Sequence, residues 1–100
     1  MALRIQQDFR YQGNDWWRWW VWIDGPPDEL DTIDHVVYVL HRTFNNPVRE
    51  VSDRTSSFRL ETAGWGVFTI YVTLVHKDGQ ETELRHDLRL EYPDGTPTIR

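Results

Sequence analysis

The chain contains no cysteine. A disulfide framework, a thiolate metal site and a cysteine nucleophile are therefore all excluded. It has no apolar run near the ~18–20 residues that a membrane-crossing helix needs. The densest window, 16–23, is eight residues long and is broken by Arg18. No stretch of ten or more residues repeats its apolar positions at the 3.6 period of a helix. The opening MALRIQQDFRY lacks the apolar h-region of a secretory signal. With the missing cysteine, this gives the expectation of a cytoplasmic protein. There is no basic stripe either. Eleven Lys and Arg are scattered among 16 Asp and Glu, for a net charge of −5. That balance argues against a nucleic-acid partner.

Catalytic and metal-binding patterns are missing in the same way. The histidines His35, His41, His76 and His86 show no H-x-x-x-H or H-x-x-E-H spacing. Ser52, Ser56 and Ser57 lie in a polar SDRTSS loop, and no serine sits in a G-x-S-x-G elbow. The acidic DGPPDELD stretch carries prolines and lacks the D-x-D-x-D-G spacing of a calcium loop. The expectation is no enzyme, no cofactor and no metal. His86 reads as a half-buried histidine satisfied by its neighbours.

What the chain has in excess is tryptophan, six in 100 residues. Each buried aromatic side chain removes roughly 150–250 Å² from water, so a small core needs no staples. The dominant period is two. Leu3, Ile5, Phe9 and Tyr11 share one face, with Gln7 among them. Trp17, Trp19, Val21 and Ile23 share another, with Trp16, Arg18, Trp20 and Trp22 opposite. Both faces of that strand are apolar, which predicts a central strand partly covered by a helix or loop. β-branched residues dominate from Ile33 to Val39, and further alternating runs centre on Phe58 and Leu60, on 68–75 and on 83–92. Turn signals separate them: DGPPDE, NNP, AGWG and KDGQ. Asp78-Gly79 predicts a hairpin turn with positive φ at both positions. Seven short strands at this spacing predict an all-β protein, a single antiparallel β-sandwich over residues 1–100. The end PDGTPTIR, within 92–100, reads as the start of a linker.

Two loops stand out, 40–51 and 61–68. Each carries an aromatic that departs from the strand alternation, Phe44 and Trp65. At the same end of a sandwich these rings face each other. The Thr43 hydroxyl and the amides beside Gly64 and Gly66 then border the gap. Such a slot suits a flat, neutral, polar group, and the glycines admit close approach. The competing reading is that Phe44 and Trp65 simply cap the core.

The pattern VVYVLHRTFNNPVREV, followed by FRLETAGWGVFTIYV, resembles the YEATS domain family. The shared features are Leu40-His41, Thr43-Phe44, Pro47 and Arg49, then Gly64-Trp65-Gly66 and Phe68. Trp19 and Gly25 match in the preceding strand, and LRHDLRL resembles the family's last strand. The resemblance spans about residues 16–91, and the tryptophan-rich DWWRWWVW with the compact length is most similar to the prokaryotic branch. It implies an immunoglobulin-like β-sandwich that binds acetyl- or crotonyl-lysine. Phe44 and Trp65 would then sandwich the acyl amide. Thr43 would supply a hydroxyl, and the Trp65 N–H a donor to the carbonyl. His41 would orient the first loop and line the slot, Phe68 would form the inner wall, and Gly64 and Gly66 would shape the second loop. Thr43 departs from the usual serine. The implied partner is an acylated-lysine peptide or protein, probed in a bacterial cytoplasm. The alternative is a scaffold domain of a larger bacterial signalling or membrane-associated protein, working through the Trp16, Trp20 and Trp22 face and binding no acyl-lysine.

Overall fold

The computed structural model describes residues 2–98. Seven strands form two antiparallel sheets. Strands β1 (Arg4–Gly13), β2 (Trp16–Asp24) and β5 (Leu60–Gly64) make a three-stranded sheet in the order β1-β2-β5. Strands β3 (Ile33–Val39), β4 (Val48–Val51), β6 (Thr69–His76) and β7 (Glu81–Asp87) make a four-stranded sheet in the order β4-β3-β6-β7. A single helical turn, α1 (Pro27–Leu30), follows Pro26 and buries Leu30. Among the described residues no helix is long and apolar enough to cross a membrane.

The predicted period-two faces become the core. Trp17, Trp19, Val21 and Ile23 are fully buried on the inner face of β2, against Val36, Tyr38, Ile70 and Leu74 of the opposite sheet. On the outer face Trp16 is 44% exposed. What lies over Trp20 is the guanidinium of Arg59, carried on the connection that leads into β5, 4.9 Å from the ring centroid. A cation over an indole face is attracted by the ring's negative π cloud.

Several elements depart from the sequence expectation. Residues 48–51, expected within a loop, pair with β3 as β4. Their four-residue VREV run is too short to announce a strand by pattern. Residues 88–92, expected to extend the last strand, leave the β6 ladder after Asp87. Their alternation persists because Leu88 and Leu90 still point into the core. The backbone instead crosses to the other sheet, where Glu91 O accepts from Trp17 Nε1 at 2.8 Å and Arg89 O from Gln7 Nε2 at 2.7 Å. Alternation reports burial, not ladder pairing. Phe58 is buried but precedes β5. It has φ +59°, in a left-handed step shared with Ser57. The Tyr38 hydroxyl donates to its carbonyl at 2.5 Å, and burial pushes the Tyr38 phenol well above its ordinary pKa.

The turns also redistribute. At 76–80, His76 N donates to Gln80 O at 2.8 Å and Gly79 N to His76 O at 2.9 Å. This loop is one residue longer than predicted, so only Gly79, at φ +90°, takes positive φ. The tight two-residue turn falls instead at Asn14 and Asp15, at φ +53° and +55°. Residues 92–96 repeat the 76–80 geometry, and Thr98 N reaches back to Leu90 O at 2.9 Å. The residues read as the start of a linker thus fold back as far as 98. Positions 99–100 lie outside the described residues.

Candidate functional site

Three connections meet at one end of the sandwich: the β1–β2 turn, the β3–β4 loop (40–47) and the β5–β6 loop (65–68). The register explains why. Trp17 at the start of β2 pairs with Gly64 at the end of β5, and β3 ends beside the start of β6.

The 40–47 loop is held by its own polar groups. Leu40 N donates to Pro47 O at 2.7 Å, which closes its base. The Arg49 guanidinium donates to Asn46 O at 2.6 Å and Asn45 O at 2.8 Å, clamping two carbonyls that a short loop leaves unpaired. Phe44 N donates to His41 O at 3.0 Å. The Thr43 N–H donates to His41 Nδ1 at 3.3 Å, and Thr43 Oγ1 lies 2.9 Å from the same nitrogen. An N–H aimed at Nδ1 requires a lone pair there, so the neutral ring carries its proton on Nε2. The Thr43 hydroxyl must then donate to Nδ1, which leaves its oxygen lone pairs to face outward.

These contacts seat Phe44 over an aromatic floor. Its ring centroid lies 5.4 Å from Phe68 and 6.3 Å from Trp19. Phe68 in turn lies 5.9 Å from Trp19 and 6.0 Å from His41. Gly64 lies below: a Cβ added there would sit 3.5 Å from Phe44 Cζ and 3.9 Å from Trp19 Nε1. These are ordinary contact distances, so a methyl group here would touch both rings without displacing them. The Trp19 indole N–H is buried with no hydrogen-bond partner among the described residues. Such a donor carries a cost of about 1–3 kcal/mol. Trp65 stands opposite, 53% exposed. Among the described residues it makes no ring contact with Phe44, so the two loop aromatics do not pack on each other.

Between them lies a cleft of about 410 Å³, within the usual range of small-ligand sites. All seven candidate residues line it: His41, Thr43, Phe44, Gly64, Trp65, Gly66 and Phe68. Four more join them: Trp16, Asn45, Ala63 and Val67. Sequence reasoning placed Trp16 only on an outer sheet face. It reaches the cleft because it starts β2 beside the end of β5, a register no pattern announces. Arg49 was visible as part of a motif, but its clamp on the loop carbonyls was not. Among the described residues no Asp, Glu, Lys or Arg side chain lines the cleft. Two carboxylates on the neighbouring strands are held elsewhere. Glu61 contacts Arg59 at 2.5 Å and Arg18 at 3.4 Å, and Glu50 lies 3.8 Å from His35. His86 does not line the cleft: it pairs with Ile70 near the end of β7 and turns to the seam with β1, where Nε2 contacts Gln7 Oε1 at 2.6 Å. Among the described residues no group of His, Asp or Glu is placed to hold a metal ion.

A family model described as the prokaryotic YEATS domain matches residues 17–89. Among curated proteins, transcription initiation factor TFIID subunit 14 of Schizosaccharomyces pombe is 32% identical over 68 residues, covering 67% of this chain and 27% of its own length. Subunit 14b of Arabidopsis thaliana is 34% identical over 82 residues, covering 77% of this chain and 30% of its own length. The chain therefore spans less than a third of either relative. The structure of the yeast AF-9 homolog protein Yaf9 is 31% identical with a TM-score of 0.66, over 76% of this chain and 52% of that one. The Yaf9 YEATS domain bound to H3K27ac superposes with a TM-score of 0.69 over 94% of this chain and 73% of that one, at 24% identity, and so shares the fold. The family's domains are non-catalytic binding modules. A two-sheet β-sandwich, the motif-bearing loops at one end of it and a family match over most of its length lead to one conclusion: this chain belongs to the prokaryotic YEATS domain family.

Proposed function

We propose that the cleft between Phe44 and Trp65 binds a lysine whose ε-amine is acylated, presented on a peptide or protein in a bacterial cytoplasm. The observation that carries this reading is the lining: the aromatic rings of Phe44, Trp65 and Phe68, with no Asp, Glu, Lys or Arg side chain among the described residues. An acyl amide is flat, neutral and polar. Its faces pack on rings for ~0.5–1.5 kcal/mol per contact, by analogy with aromatic pairs. Its N–H donates to Thr43 Oγ1, whose own proton is committed to His41. Its carbonyl accepts from the Trp65 backbone N–H, for about 0.5–1.5 kcal/mol net. The summed affinity falls in the micromolar to millimolar range, roughly −8 to −4 kcal/mol. Unmodified lysine fails in the same cleft, because its ammonium would lose water without gaining a carboxylate. Trimethyl-lysine fails for want of a full aromatic cage. The Yaf9 YEATS domain was crystallised with H3K27ac, which supports the ligand class.

The test is an NMR titration with acetyl-, crotonyl-, trimethyl- and unmodified-lysine peptides, on wild type and Trp65→Ala. Shifts at Thr43, Phe44 and Trp65 for the acylated peptides alone, lost in the variant, are expected. Equal response to unmodified lysine, or none to any peptide from a folded protein, refutes the proposal.

A further inference from the structure

We infer that the polypeptide flanking the acylated lysine lies across the outer face of the β1-β2-β5 sheet and presents acidic side chains there. The inference rests on the acyl-lysine reading above. Trp16 and Ala63 line the cleft and also belong to that outer face, so the cleft opens directly onto it. Along β2 the next outward residues are Arg18 and Trp20. Arg18 is paired across the sheet with Arg10 on β1 and with Ala63 on β5. Like charges set directly opposite oppose strand pairing, so this register asks for an outside compensation.

The sheet itself supplies little. Glu61 holds Arg59 at 2.5 Å through one oxygen and reaches Arg18 only at 3.4 Å through the other. Arg59 is further committed to the Trp20 ring at 4.9 Å. Asp8 lies across from Trp20, and its carboxylate accepts the Phe9 N–H at 2.8 Å. Among the described residues Arg10 has no ion-pair partner. One carboxylate thus serves two guanidiniums while a third has none, in a chain whose net charge is −5. Exposed Arg42, between the cleft-lining His41 and Thr43, likewise makes no ion pair among the described residues. A basic flank would meet like charge. An acidic flank meets its complement, with the exposed Trp16 ring beside Arg18 to pack against. Spacing agrees. An extended peptide and a strand both advance about 3.3–3.4 Å per residue, so an acid two to four residues from the acyl-lysine reaches the arginine pair.

The test compares three matched acetyl-lysine peptides by fluorescence polarisation. One has Gly and Ser flanks, one has Glu two to four residues away on each side, and one has Arg at those positions. The Glu peptide is expected to bind roughly three- to tenfold tighter than the neutral one, as two exposed ion pairs allow, and the gain shrinks as salt is raised. The Glu-to-neutral ratio falls to near one in Arg10→Gln with Arg18→Gln. In Arg10→Glu with Arg18→Glu the preference turns to the Arg peptide. Equal affinity for all three peptides, or a gain that survives both double variants, overturns this inference and leaves the acyl-lysine reading standing. No binding of any acetylated peptide to the folded protein overturns both.

Discussion

The two aromatic walls of the cleft are predicted to separate when each is cut back to alanine. Trp65 is 53% exposed and makes no ring contact with Phe44 among the described residues. Its removal therefore falls among surface changes, within ±0.5 kcal/mol of wild-type stability. Phe44 is half-buried against Phe68 and Trp19. Fully buried Phe→Ala changes cost about 3–5 kcal/mol, so half-burial gives about 1.5–2.5 kcal/mol. In a 100-residue domain each kcal/mol moves Tm by roughly 4–8 °C. Phe44→Ala should then lower Tm by about 6–20 °C, and Trp65→Ala by no more than about 4 °C. Binding should respond differently. Each wall contributes ~0.5–1.5 kcal/mol to an amide between them, which is roughly a two- to twelvefold loss in affinity for an acetyl-lysine peptide. Scanning calorimetry and isothermal titration on the same samples decide it. If Trp65→Ala melts as early as Phe44→Ala, Trp65 is a core residue and the cleft is filled by the protein itself. If Trp65→Ala is stable and binds as well as wild type, the ring takes no part in recognition.

Other outcomes follow from the same geometry. Thr43→Val deletes the oxygen bonded to His41 and should weaken acyl-peptide binding by about 1 kcal/mol, roughly fivefold, whereas Thr43→Ser should retain binding; titration calorimetry compares them, and equal affinity for Val and Ser refutes the hydrogen bond. Tyr38→Phe leaves the buried Phe58 carbonyl without its donor and should cost about 1–3 kcal/mol in denaturant unfolding; an unchanged midpoint would show that water replaces the hydroxyl. Burial, opposed by Asp87 and reinforced by Arg89, lowers the His86 pKa from its ordinary 6.5. The unfolded chain then binds the proton more readily. Stability attributable to His86 is present above about pH 6.5 and is lost as pH falls through the lowered folded value. Urea unfolding from pH 8 to 5 should show that decline flattened in His86→Gln, and an identical slope in both proteins refutes it. Gly79→Ala, at φ +90°, should cost about 1–2 kcal/mol in thermal unfolding, and a neutral result would mean that the 76–80 loop relaxes.

The sequence alone determined what depends on neighbours along the chain. Period-two alternation marked β1, β2 and β6, β-branched enrichment marked β3, and the alternation assigned Trp17, Trp19, Val21 and Ile23 to one buried face. It did so because alternate side chains on an extended backbone must point to opposite sides. The glycine-flanked Trp65 and the off-pattern Phe44 marked the loops that line the cleft. What remained undetermined depends on pairing between distant segments. A four-residue run becomes β4 only because β3 offers an edge. Residues 88–92 keep their alternation yet leave their sheet, since core packing and ladder bonding are satisfied by different partners. The Asn14–Asp15 turn sets the register that puts Trp16 at the cleft and Arg10 opposite Arg18. A shift of one residue would send each of those side chains to the other face. Only the folded chain fixes that register, because it is the burial of Trp17 and Trp19 against the second sheet that selects it.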